Sequence, residues 1–210
     1  DRVKSILLVE GQTDVDFFYA LLRKLGLQNR IEIRPPKEFG FKTDTVSHFP
    51  RLIDLLIKQL SANQVNHLGI VADADHVSGG GFLNRWKQLT DCLAKHEYRI
   101  PSNPPKLPNL GSIFRHPDLP HVGLWLMPDH ESNGMLEDLI RQAFRKSDPQ
   151  EALLQYAQTC VDRLPLRLFS QFHQTKAVVF SFLAWQKRPW QTKDITINGD
   201  LIDLSSPGIK

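Results

Sequence analysis

Two short apolar stretches, each cut off by an acid, constrain this chain's fold more than any other feature. Ile6–Val9 runs into Glu10-Gly11, and Leu68–Val71 runs through Ala72 into Asp73-Ala74-Asp75. Such runs are too short for a globular helix and lack polar alternation, so both read as parallel strands buried on two faces. Gly11 allows a sharp exit, and Thr13 with Asp16 three residues on makes a capping-box pattern. Phe17, Phe18, Leu21, Leu22 and Leu25 then share one helical face, and Gly26 closes the helix. Strand, acidic turn and helix form half of a βαβ unit. Right-handed crossovers put the carboxyl ends of parallel strands on one edge, where open α/β sheets bind ligands. Glu10, Asp73 and Asp75 are therefore expected to meet there.

The rest of the chain continues the rhythm. Ile31–Arg34 reads as a strand stopped by Pro35-Pro36, and 37–47 as a loop carrying Lys37 and Lys42 above the acidic edge. A helix starting near Pro50 buries Leu52, Ile53, Leu56, Ile57 and Leu60; another buries Phe82, Trp86, Leu89 and Leu93 after the turn Gly79-Gly80-Gly81. Six prolines between Ile100 and Pro120 exclude a helix there and predict extended arms with a hairpin. Val122–Met127 is a further buried strand, ending near Asp129. Helices are expected from about Gly134 to Phe144, from Asp148 to about Val161, and over His173–Gln186, with a closing hairpin at Asn198-Gly199. The expected fold is α/β: a mainly parallel sheet with helices on both faces, a Pro-rich extended arm and a C-terminal helical cover. Residues 1–147 would form the α/β domain, with the Pro-rich insertion at about 100–120. Residues 148–210 would be a helical extension packed on it.

The acids dictate the chemistry. Two carboxylates ~4 Å apart repel by ~4 kcal/mol at a surface-like dielectric, so several together need protons or a cation. Hard oxygen donors without Cys or His suit Mg²⁺ or Mn²⁺. Asp73 and Asp75 flank Ala74 and on an extended strand would point the same way. At this point the residues resemble the Toprim superfamily, whose signature is a strand-end Glu in a VEG-like turn and a later D-x-D at another strand end. Here these are Val9-Glu10-Gly11 and Asp73-Ala74-Asp75. Asp14, four residues after Glu10, is similar to the second acid of the OLD (overcoming lysogenization defect) nuclease branch. Met127-Pro128-Asp129 and Gly134–Leu139 resemble a small single-domain Toprim-like family related to that branch.

The resemblance implies Mg²⁺- or Mn²⁺-dependent phosphoryl transfer on nucleic acid, by hydrolytic cleavage. Asp73 and Asp75 would hold the ion, Asp14 with Glu137 or Asp138 would help hold a second, and Glu10 would be a ligand or general acid–base. Lys176, on a helix beyond the sheet as in OLD-like nucleases, would stabilise phosphate charge; Lys37, Lys42 and Arg115 are weaker candidates for that role. His76 and His130 neighbour the acids, and Trp185, Gln186 and Trp190 could meet bases, but surface polarity is the favoured account of the histidines and ordinary packing that of the others. Nucleic acid (DNA or RNA), and an ATPase, are the partners this reading implies.

Two other readings stay open. Ile70–Val77 also resembles the haloacid-dehalogenase phosphatase motif, with Asp73 as nucleophile and Asp75 as general acid–base. The chain could instead be a catalytically silent module binding nucleic acid or a partner ATPase. A formal net charge of +3 over 210 residues permits nucleic-acid binding without requiring it. Cys92 and Cys160 read as packed thiols. No apolar run approaches the ~18 residues of a membrane span, and no secretory leader precedes the first strand, so a cytoplasmic protein is expected.

Overall fold

The computed structural model describes residues 5–104, 110–147, 149–189, 201–206 and 209. Its strands are β1 (Ser5–Leu8), β2 (Ile31–Arg34), β3 (His67–Asp73), β4 (Ser112–Phe114) and β5 (Val122–Met127). They form one sheet in the order β2-β1-β3-β5-β4, parallel except for β4, which runs antiparallel to β5. The α-helices are α1 (Gln12–Lys24), α2 (Phe49–Ser61), α3 (Gly81–Ala94), α4 (Leu136–Ala143), α5 (Gln150–Asp162) and α6 (Gln174–Ala184). This is the mainly parallel α/β architecture expected.

Strand alternation divides the interior in two. Ile6, Leu8, Leu68, Ile70, Leu124 and Leu126 face α2 and α3, where Leu52, Leu56 and Leu89 are fully buried. Val9, Val71 and Met127 face the other way, into a core built with Phe17 of α1, Leu139 of α4, Ala157 of α5 and Phe182 of α6. Continuous apolar runs in β1, β3 and β5 are thus explained by helices on both faces. The C-terminal helices α5 and α6 cover one face only, the face α1 and α4 also occupy.

Two local differences from the sequence reading have physical causes, and one expectation is met in part. The cap of α1 is Gly11, and the acid that bonds back to its N–H is Asp14 (2.9 Å), at the third helical position, not Asp16. The helix begins one residue before Thr13, which shifts the capping box by two. α4 begins at Leu136, not Gly134, because Gly134 has φ +151° and Met135 is extended at φ −144°, so neither is helical; the Gly134 N–H bonds the Asp75 carbonyl (2.9 Å). In the Pro-rich arm, Arg99 N–H donates to the Arg115 carbonyl (2.9 Å) beside β4, giving the expected antiparallel pairing across the described part of the arm. Pro105 and Pro108, the Asp148 cap, Trp190 and the Asn198-Gly199 turn lie outside the described residues.

Gly26 ends α1 as expected, at φ +72°. Its N–H bonds to the Arg23 carbonyl (3.1 Å) and that of Leu27 to the Leu22 carbonyl (2.8 Å), the paired pattern of a Schellman cap. A methyl group at Gly26 would touch nothing within 4 Å. Gly26→Ala should therefore cost only the left-handed backbone penalty, about 1 kcal/mol. Urea unfolding checks this, and a loss above ~3 kcal/mol would mean that an unseen contact is broken.

Candidate active site

The register of the sheet builds the site. Leu8 lies opposite Ile70 on β1 and β3, and Asp73 opposite Met127 on β5. Two residues beyond Leu8, Glu10 reaches across and its Oε1 accepts the Asp73 N–H at 2.9 Å. Asp73 Oδ1 in turn accepts the N–H of Leu136, the first residue of α4, at 2.9 Å. A carboxylate at a helix N-terminus is stabilised there by the unsatisfied N–H groups. Glu137, next in α4, is 1% exposed, and its charge acts on Asp73. Lys176 of α6 brings its Nζ to 3.5 Å from Glu137 Oε1. Asp14, buried at the start of α1, lets its charge act on both Glu10 and Asp73.

These acids share a confined edge, and their ionisation reflects it. Burial pushes Glu10 up to about 7; the Arg85 guanidinium and the Asp73 N–H oppose the rise, and the charges of Asp14 and Asp75 add to it. Burial also drives Asp73 well above the carboxylate range, aided by Glu10, Asp14 and Glu137, against the Leu136 N–H. A pocket that raises carboxylate pKa values is one that gains from a cation. The donors are carboxylate oxygens, the hard set that suits Mg²⁺ or Mn²⁺, and Glu10, Asp73, Glu137 and Asp14 are the residues able to supply them.

The two aspartates of the D-x-D do not point together. Asp75 has φ +62°, so strand alternation ends before it. Its Oδ2 is held by Arg85 Nη2 at 2.5 Å, while Arg85 Nε donates to the Asp73 carbonyl at 3.0 Å and Nη1 to Gln88 at 2.8 Å. Asp75 remains close enough to raise the Glu10 pKa, but its carboxylate is committed to the guanidinium. Among the described residues no three His, Cys, Asp or Glu side chains form a ready coordination group.

The remaining candidates separate cleanly. Of the pair Glu137 and Asp138, Glu137 faces Asp73; Asp138 is a helix-capping acid, its Oδ2 accepting the Met135 N–H at 3.0 Å, with His76 Nε2 at 4.0 Å. Asp129 accepts the N–H groups of Glu131 and Ser132 and so shapes a turn. His130 is 1% exposed: its Nδ1 accepts the Leu126 N–H, its Nε2 bonds Ser112 Oγ, and the rings of Phe82 and Trp86 enclose it. It is a core histidine, neither a surface group nor a site group. Arg115 follows β4, which is antiparallel, and therefore lies at the sheet edge opposite the acids. Lys37 pairs with Asp44 at 3.5 Å, and Lys42 is exposed. Trp185 rests on Tyr156 with ring centroids 5.6 Å apart, and Gln186 bonds Gln150.

Arg85 is the residue that sequence reasoning missed. It occupies position 85 of the stripe 82, 85, 86, 89, a buried register on α3. A cation on the apolar face of an amphipathic helix signals a buried anionic partner.

An acid cluster at the carboxyl edge of a mainly parallel sheet, with Arg85 and Lys176 set against it, defines a class of α/β protein. The chain belongs to the family described as "Protein of unknown function (DUF3226)", whose model matches residues 4–210. No curated protein and no solved structure gives a significant match. No helix among the described residues is long and apolar enough to cross a membrane.

Proposed function

We propose that this edge is a Toprim-like phosphodiesterase centre that binds Mg²⁺ or Mn²⁺ and cleaves a nucleic-acid backbone by hydrolysis. The observation that carries the reading is the convergence of Glu10, Asp14, Asp73 and Glu137 from three separate segments onto one sheet edge. Asp73, Glu10 and Glu137 would hold the cation, with Asp14 beside them and Asp75 orienting Arg85. A bound divalent ion supplies Lewis-acid polarisation of a phosphoryl oxygen and a more acidic water. Glu10 would be a ligand or would move a proton at the attacking or leaving oxygen. Lys176 would carry positive charge toward a phosphate, the N-terminus of α4 would add its dipole, and Arg85 would act from behind, through Asp75 and the Asp73 carbonyl.

The silent-module reading draws on one observation: Arg85 and Lys176 already offset part of the acidic charge without a metal. A phosphatase centred on Asp73 leaves Glu10, bonded to the Asp73 N–H, without a role. Nuclease assays on mixed DNA and RNA with Mg²⁺ or Mn²⁺ test the proposal. Asp73→Ala should lower the cleavage rate by at least about 100-fold. In parallel melts, saturating Mn²⁺ should stabilise the wild type far more than Asp73→Asn, since linked stabilisation follows affinity for the native state. Equal shifts in both proteins, with no cleavage in either, would establish the silent module instead.

A further inference from the structure

Two cavities line up along α4, leading away from the acids. The first, about 410 Å³, is bordered by His76, Val77, Arg141, Phe172 and Gln174. The second, about 250 Å³, lies between the end of α4, α5 and α6; Arg141, Arg145 and Lys146 stand on its wall and Phe144 and Phe182 in its floor. Arg141 and Gln158 belong to both, so the two form one groove. Its near end starts at His76, 4.0 Å from Asp138 and one residue after the D-x-D. α4 is the ruler: Glu137 at the acid cluster and Arg141 in the groove are one helical turn apart, about 6 Å along the axis.

The lining chemistry is specific in kind. Three cations in the second cavity face one carboxylate there, Glu151, so the groove is basic although the chain as a whole carries only +3. Among these, Arg145 is partly engaged, its Nε donating to the Ile202 carbonyl at 3.2 Å. Arg141 and Lys146 are exposed, with their charges turned to solvent. Between the cations stand the amides of Gln142 and Gln155 in the second cavity, with the Phe172 ring packed edge-on against His76 in the first; Gln158 and Gln174 donate their amide nitrogens to Asp162 at 2.8 and 2.6 Å. Spaced cations match backbone phosphates. Amides and an aromatic ring match base edges and faces, which a duplex keeps stacked inside and a single strand exposes. An apolar floor in a cavity this small accepts one unstacked base, not the side of a helix.

We propose that this groove binds single-stranded nucleic acid. Its phosphates lie on Arg141, Arg145 and Lys146, and an unstacked base lies over the Phe144–Phe182 floor. The strand then passes His76 to present a phosphodiester at the acid cluster. The inference rests on the phosphodiesterase reading for what happens at that end, but binding in the groove does not need it.

The test measures binding without catalysis. Fluorescein-labelled oligo-dT and oligo-U of about twelve nucleotides, and a DNA duplex of that length, are titrated with the whole protein in chelator, with anisotropy as the readout. The wild type should bind one or both single strands at least tenfold tighter than the duplex; which one it prefers separates DNA from RNA. Arg141→Gln/Lys146→Gln replaces two exposed charges and should leave the melting temperature unchanged. It should weaken single-strand binding at least tenfold and reduce the salt slope by about 1.4, two phosphate contacts' worth. Phe172→Ala should weaken binding without changing that slope. Asp73→Ala, which removes a carboxylate beside the presented phosphate, should bind no more weakly than the wild type. Binding of the double variant equal to wild type, equal binding of the duplex, or no binding at all overturns the groove. Loss of cleavage in Asp73→Ala with groove variants unaffected leaves the nuclease and removes the groove. Impaired binding in groove variants, with no cleavage by any protein, does the reverse.

Discussion

Replacing Arg85 with methionine should cost the metal-free protein about 3–5 kcal/mol, the largest stability loss expected of any single change at the site. The guanidinium is 9% exposed and its Asp75 partner 21%, so solvent screens the pair weakly. Methionine keeps much of the packing volume on the buried face of α3 but strands Asp75, frees the Asp73 carbonyl and removes the positive charge that acts on Glu10. Urea unfolding in chelator measures the loss. Arg85→Met/Asp75→Asn should recover a large part of it, because the second change removes the stranded charge; the coupling belongs to a double-mutant cycle. A single-variant loss under ~1 kcal/mol would show that the pair is no more than a surface contact.

The metal-free protein should also show two opposed pH limbs over one range. Glu10 sits at about 7 in the fold against an ordinary 4.5, so the folded state binds its proton more tightly. Stability therefore rises as pH falls from 7 toward 4.5, and Asp73 acts in the same direction. Burial holds His130 down at about 4 against 6.5, with the Asp129 charge opposing. Its contribution is complete above 6.5 and is lost as pH falls toward 4. Between pH 7 and pH 5 each limb is worth about 2 kcal/mol, with Glu10 discounted little because protein surrounds it. The wild type in chelator should thus be at least as stable at pH 5 as at pH 7. Glu10→Gln deletes the stabilising limb and should be about 2 kcal/mol worse at pH 5, relative to its own value at pH 7, than the wild type is. Matching pH profiles for the two proteins would mean that Glu10 keeps its ordinary carboxylate range in the fold.

Which parts of this were legible in the sequence follows from the physics involved. Buried strands and amphipathic helices announce themselves through many residues at once, so β1, β3, β5 and the stripes of α2 and α3 could be read directly. The meeting of Glu10 with Asp73 could also be read, because parallel topology forces strand ends together. What could not be read depends on single backbone angles or on partners distant in sequence. The D-x-D looks like one bidentate unit until Asp75 turns to φ +62° and finds Arg85. Glu137 and Asp138 are adjacent acids in one helical turn, and only the rotation of α4 sends one to the site and the other to the cap. His130 looks like a neighbour of a strand-end acid, yet its own φ of +63° accompanies a ring directed into the core. Arg115 looked eligible because a Pro-rich arm gives no hint of strand direction.

The two rims of the sheet also bear on how the protein behaves in a crowded solution. β2, at one rim, is four residues long, carries Glu32 and Arg34 bonded to each other, and ends at Pro35. β4, at the other, is three residues long and runs against the direction of its neighbours. Neither offers a long, flat, uncharged row of N–H and C=O groups on which another chain's strand could grow. Rims this short and blunt let the folded protein stand at high concentration without recruiting copies of itself into fibrils.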